Sequence, residues 1–103
     1  MTPIERRTRR ALALDRNRDR MHDEADRDDS LTQPERALVW NRSQRITRRI
    51  WQERLGVATT RARTLADLKH KARLTLEYLY SEADDDALAA SLCRDILAMR
   101  ERH

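Results

Sequence analysis

The chain has 103 residues, a formal net charge of +4 and 39% charged residues, with one glycine, two prolines, one cysteine and no phenylalanine. That length bounds it to one domain, so little turn chemistry excludes a sheet built from hairpins, and a single cysteine excludes an intrachain disulfide and suits a reducing compartment. Leucine, isoleucine and valine number 19 in all, a level at which disorder is a concern, but the high net charge that goes with disorder is missing, so a fold with a thin core is expected.

The charged residues are mostly good helix formers, and the helix starts are the best-specified positions. "TPIE" at 2–5 has the form of a capping box, Thr2 with Glu5, and Pro3 stands at the first helical position. It opens a first helix over about 3–28. There Ile4, Ala11, Leu14, Met21 and Ala25 fall at heptad-like spacing, interrupted by Arg18. Its charges pair along the helix instead, Glu5 with Arg9, Asp15 with Arg18, Arg20 with Glu24 and Asp23 with Arg27, each worth about 0.2–0.5 kcal/mol. Of the 19 large aliphatics only Ile4, Leu12 and Leu14 lie in residues 1–30. The expectation is a charged helical arm over 1–30, exposed or packed on a partner, attached to a bundle over 31–103.

"TQPE" at 32–35 repeats the capping device and opens a second helix to about residue 55, with Gly56 read as its C-cap glycine. At about 100° per residue, Val39, Ser43, Ile46 and Ile50 form one stripe, with Trp40 and Trp51 on its edge. The opposite side carries Arg42, Arg45 and Arg49, with Arg48 flanking. "TLAD" at 64–67 opens a third helix to about 81, whose Leu65, Leu68, Ala72, Leu76 and Leu79 share a face. Asp84, Asp85 and Asp86 cap a fourth, about 86–102, on which Leu88, Leu92, Ile96 and Met99 line up. The fold class is all-α: a small three-helix bundle, formed by an antiparallel C-terminal hairpin and a crossing second helix, with a long charged N-terminal helix.

Charge falls in blocks: +4 over residues 1–20, −5 over 21–35, +9 over 36–73 and −4 over 74–103. Alternating blocks suit folding on one another or pairing between copies. The mid-chain arginines have two readings. Either Arg42, Arg45, Arg48 and Arg49 track phosphates from one helix face, with strongly salt-dependent binding, or they are the solvated side of an amphipathic helix. Trp40 and Trp51 suit packing or interface anchors better than base stacking. "RRIWQERLGVATTRARTL" has a partial look of a helix-turn-helix around Leu55, Gly56 and Val57. Gln52 stands where that motif wants a small residue, Ala62 where it wants a branched aliphatic, and a helix starting at Thr64 makes the turn too long.

Enzyme chemistry finds little to work with. His22, His70 and His103 are far apart, His70 sits between Lys69 and Lys71, Cys93 reads as a small core filler, and one glycine leaves no phosphate-cradling loop. No apolar run reaches the length of a membrane span, and the N-terminus lacks a secretory apolar stretch. The expectation is therefore a cytoplasmic, non-enzymatic chain with no catalytic residue, metal, cofactor, membrane partner or small-molecule substrate.

"RTLADLKHKARLTL" at 63–76, with "LAASLCRDIL" at 88–97 after an acidic link, resembles small uncharacterised helical proteins of α-proteobacteria and their prophages. The pattern T-L-x-x-L-x-x-K-A falls on Thr64, Leu65, Leu68, Lys71 and Ala72, and R-D-[IL]-L on Arg94, Asp95, Ile96 and Leu97. The resemblance covers the C-terminal third, implies a bacterial or phage origin and the helical hairpin, and carries no activity.

The sequence thus points first to a helical interaction protein, a phage or mobile-element accessory or inhibitor, binding a protein partner or a second copy through Ile4, Ala11, Leu14, Met21, Trp40 and Trp51. The alternative is a nucleic-acid-binding regulator using Arg42, Arg45, Arg48 and Arg49. The first rests on acidic segments covering the mid-chain cations.

Overall fold

The computed structural model describes residues 1–79 and 84–100, and these are helical without a strand among them: α1 Pro3–Arg27, α2 Gln33–Ala58, α3 Leu65–Glu77 and α4 Asp84–Ala98. No helix among the described residues is long and apolar enough to cross a membrane.

Three helix starts are capped as their sequences specify. The Thr2, Thr32 and Thr64 hydroxyls accept from the backbone N–H groups of Glu5, Glu35 and Asp67. Only Thr32 completes the reciprocal box, since the Glu35 carboxylate reaches back to the Thr32 N–H at 3.1 Å. Bonds from the Thr32 hydroxyl and N–H hold the Glu35 carboxyl below its ordinary range. Glu5 turns instead to Arg9, 2.7 Å away. The Thr2 hydroxyl donates to Asp67 Oδ1 at 2.6 Å, tying the start of α1 to the start of α3. The cap of α4, the end of the expected third helix beyond residue 79 and residues 101–102 of the expected fourth lie outside the described residues.

Three helix ends differ from expectation, the fourth helix stopping at Ala98 rather than near 102. Gly56 is not a cap: α2 runs on to Ala58, and no described residue has a positive φ. The helix stops at Thr59 and Thr60, whose hydroxyls donate back to the carbonyls of Leu55 and Gly56 at 2.8 and 2.7 Å. Gly56 serves a close approach instead. A Cβ there would lie 2.6–2.8 Å from the Arg7 side chain, which crosses over it. The third helix ends at Glu77, short of the expected 81.

α1 and α2 form an antiparallel hairpin. Residue numbers on one rise as their partners on the other fall: Arg7 and Arg10 meet Glu53, Arg18 meets Thr47 and His22 meets Ser43. Arg36 closes the hairpin by donating to the Ala25 and Asp28 carbonyls, where a cation also suits the end of the α1 dipole. α3 rests chiefly on α1 and lightly on α2, and α4 packs on α3. Thus α2 lies along α1 rather than across the C-terminal pair.

The expectation of an arm outside the core is corrected here. Ile4 and Ala11 are 1% and 0% exposed and cluster with Val57 and Leu74, with Leu12, Ala62 and Tyr78 packed against them. The physical reason is size. Thr8 and Ala11 are small enough to let α1 lie close against its neighbours, so a helix poor in leucine still buries a continuous face. His22 is half-buried with Nε2 2.7 Å from the Ser43 hydroxyl.

On α3, Ala72 and Leu74 are buried while Leu68 is exposed, because the helix has α1 on one side and α4 on another. Among the described residues of α4 Cys93 is the buried one; of the expected stripe Ile96 is half-buried, Leu92 and Met99 are exposed, and the Leu88 side chain lies outside the described ones. Tyr78 packs over the core with its Oη buried and unpartnered. Burial, with the Asp15 carboxylate next in effect, pushes its phenol above the ordinary value. The folded chain therefore holds this proton after the unfolded chain has lost it. That contribution is fully present below the ordinary phenol value of 10.0 and is lost as pH rises through the folded one. Tyr78→Phe should flatten this alkaline fall and, by removing an unsatisfied hydroxyl, leave the protein as stable or about 1 kcal/mol more so in urea titration.

Candidate functional site

The chemistry of this chain concentrates on α2, which has α1 along one side and open solvent along the other. On the inner side Ser43, Ile50, Glu53 and Val57 are buried. Glu53 is the charged member of this row. Its Oε2 lies 3.4 Å from Arg7 Nη1 and its Oε1 lies 3.3 Å from Arg10 Nη1, so two arginines of α1 share one carboxylate of α2. Thr47, at the edge of the same side, accepts from Arg18 at 2.9 Å.

This pairing decides what the outer side looks like. Residues 36–73 contain eleven cations and two acids, Glu53 and Asp67. Both acids turn inward, at 7% and 8% exposure, Glu53 to the α1 arginines and Asp67 to the Thr2 hydroxyl. Arg42, Arg45, Arg48 and Arg49 are all exposed, and among the described residues no carboxylate is in ion-pair contact with them. Further along the chain Arg61, Arg63 and Arg73 are exposed as well. The surface of this segment therefore carries charge of one sign.

Among the described residues the acidic block 21–35 does not fold over the basic one as expected; most acids of the 74–103 block lie outside the described side chains. Among the described residues no ion pair joins 21–35 to 36–73. The two segments are joined instead by hydrogen bonds, His22 to the Ser43 hydroxyl and the Arg36 guanidinium to backbone carbonyls. Asp28 turns to its own loop, where the Ser30 hydroxyl and N–H hold its carboxyl below the ordinary range. Along α1, Glu5–Arg9 and Asp15–Arg18 form as expected. Arg20 bonds Asn17 rather than Glu24.

No protein-family model, curated protein or solved structure matches the chain.

The residues expected at a protein interface are dispersed by the fold. Ile4 and Ala11 lie inside this chain's own core, so neither is available to a partner. Leu14 and Met21 are half-buried on α1. Trp40 and Trp51 remain on the surface, 58% and 59% exposed, with Leu38 and Leu55 also exposed on α2. Neither tryptophan is a core anchor. Trp51 has the Arg54 guanidinium 4.5 Å from its ring centroid, and the same guanidinium lies 4.1 Å from the Tyr78 ring. The link between α2 and α3 runs over residues 59–64, too long for a helix-turn-helix turn.

Other groupings offer less. A cleft of about 350 Å³ between α2 and α3 is lined by Trp51, Leu55, Leu74, Tyr78 and Leu79, with Arg54 and Lys71 as its charged members. Among the described residues no three His, Cys, Asp or Glu side chains come together as metal ligands.

Sequence reasoning missed the amides. Asn41, Gln44 and Gln52 are exposed on the same side of α2 as the arginines. Their helical spacing carried that signal. The inward turn of Glu53 had no sequence signal, because it depends on which helix lies alongside.

Proposed function

We propose that this chain is a small, non-enzymatic, cytoplasmic helical protein that binds nucleic acid through the outer face of α2. A single observation carries the reading: both acids of residues 36–73 are buried while Arg42, Arg45, Arg48 and Arg49 are exposed without a carboxylate partner among the described residues. Phosphates are the natural counter-charge for guanidinium groups in that state, and release of their counterions supplies most non-specific affinity.

The test is a mobility shift with the full chain on duplex DNA, single strands and RNA at low salt. Replacing all four arginines by glutamine should abolish the shift. If all four meet phosphates, log K against log salt for the parent should have a slope of about −3 to −4, near −0.9 per contact. No retardation of any nucleic acid at low salt discards the reading.

A second reading is favoured by the exposed apolar residues. Trp40, Trp51 and Leu55 on α2, with Leu92 on α4 and Met99 just past its end, are large side chains left in solvent. In that reading the chain is a protein-binding accessory or inhibitor of a phage or mobile element, or pairs with a second copy. Sedimentation at high concentration is its measurement: a dimer dispersed by Trp40→Ser and Trp51→Ser, with no shift on nucleic acid, moves this reading ahead.

A further inference from the structure

The outer face of α2 holds more than charge. Asn41, Arg45, Arg48 and Gln52 follow one another at spacings of four, three and four, the repeat that places side chains in a single row along a helix. All four are exposed, and the row lies opposite the buried Ser43, Ile50 and Val57 that face α1. At about 100° per residue Arg48 and Asn41 fall near the midline of the solvent side, with Arg42 and Arg49 along one margin. The row runs about 16 Å along the helix axis at about 1.5 Å per residue.

These residue types are the ones that read base edges. Arginine pairs bidentately with guanine O6 and N7, while asparagine and glutamine pair with adenine N6 and N7. Amide N–H groups can also donate to phosphate oxygens, but they add no charge there, whereas their paired donor and acceptor match an adenine edge. We propose that α2 enters the major groove of duplex DNA, with Asn41, Arg45, Arg48 and Gln52 toward base edges and Arg42 and Arg49 on phosphates. This inference rests on the nucleic-acid reading above and narrows its ligand to one class.

Three observations favour a duplex over a single strand. Among the described residues α2 stands clear over its outer half, since α1 lies behind it, α3 touches it lightly and α4 packs on α3. A helix about 10–12 Å across matches a B-form major groove about 12 Å wide. Single-strand recognition calls for aromatic platforms, yet the Trp51 ring already has the Arg54 guanidinium against it and both tryptophans sit at the margin of the face. Duplex RNA is disfavoured because its major groove is too narrow and deep for side chains to read.

The experiment uses the full chain and 20-base-pair probes, followed by fluorescence anisotropy at fixed salt. Duplex DNA should bind at least about tenfold more tightly than duplex RNA or single strands, and selection from a randomised duplex pool should enrich a short motif. Asn41→Ala and Gln52→Ala should each erase about tenfold of preference at one position of that motif, while leaving the salt slope unchanged because no charge is lost. Arg42→Gln with Arg49→Gln should weaken binding to all sequences alike and reduce the slope by about 2. Equal binding of DNA duplex, RNA duplex and single strand, or an enriched motif indifferent to both amide substitutions, overturns the groove assignment and leaves nucleic-acid binding standing. Absence of binding to every probe removes both.

Discussion

Ile4→Ala is expected to remove about 3 kcal/mol of stability, a large share of the roughly 5–15 kcal/mol that holds a small domain folded. Ile4 lies at the second position of α1 and is 1% exposed, in a cluster with Ala11, Val57 and Leu74 drawn from α1, α2 and α3. Truncation there opens a cavity where three helices meet. In a chain with 19 large aliphatics and no phenylalanine, few neighbours are bulky enough to collapse into the gap. The same reasoning applies to the whole helix. Residues 31–103 made alone would expose Ile50, Val57 and Leu74 on the sides that α1 covers, and would lose the Arg7 and Arg10 partners of Glu53. That fragment should show weak, non-cooperative thermal unfolding by circular dichroism, whereas the full chain melts in one step. A cooperative transition in the fragment, at a temperature near that of the full chain, would restore the view of residues 1–30 as an arm.

What could be read from the amino-acid order was local, and what could not was the relation between helices. Thr2, Thr32 and Thr64 cap the starts of their helices because capping involves only a residue and its neighbour three positions on. The inward stripe of α2 was legible for the same reason: Ser43 and Ile50 are buried and Val39 and Ile46 half-buried, at spacings any amphipathic helix shows. Gly56 was misread because a glycine near a helix end has two uses, a cap or a close approach, and only the Arg7 side chain of another helix decides between them. The place of α1 is hidden from a count of large aliphatics, which is a poor measure of this core. Ala11 and Thr8 contribute by being small, which no hydrophobic count records.

The candidate site divides along the same line. The exposure of Arg42, Arg45, Arg48 and Arg49 follows from their positions on α2. Whether acids cover them does not, since charge blocks along a chain say nothing about which carboxylates face inward. Here the relevant pairing runs the other way: α2 gives its buried acid to the arginines of α1. Sequence blocks of −5 and +9 therefore lie side by side without neutralising each other among the described residues.

Replacing Arg7 and Arg10 together by methionine is expected to destabilise the protein by about 2–3 kcal/mol, while adding Glu53→Leu to that pair should recover most of the loss. The asymmetry follows from which partner is buried. Glu53 is 7% exposed, so without its arginines it is an uncompensated charge held away from water. Arg7 and Arg10 keep roughly half of their side-chain surface in solvent, so the cost falls below the 3–5 kcal/mol typical of a fully buried pair. Removing all three charges substitutes apolar side chains of similar length, which lie against Val57 and Ile50 without stranding any group. Urea titrations of the parent, the double variant and the triple variant measure the difference. Equal losses in the double and triple variants would mean that the arginines act through their packing over Gly56 rather than through the carboxylate. The outer face of α2 carries none of these substitutions, so Arg42, Arg45, Arg48 and Arg49 keep their exposure in every member of the series. Any nucleic-acid affinity should accordingly survive in the triple variant, to the extent that its helices remain folded.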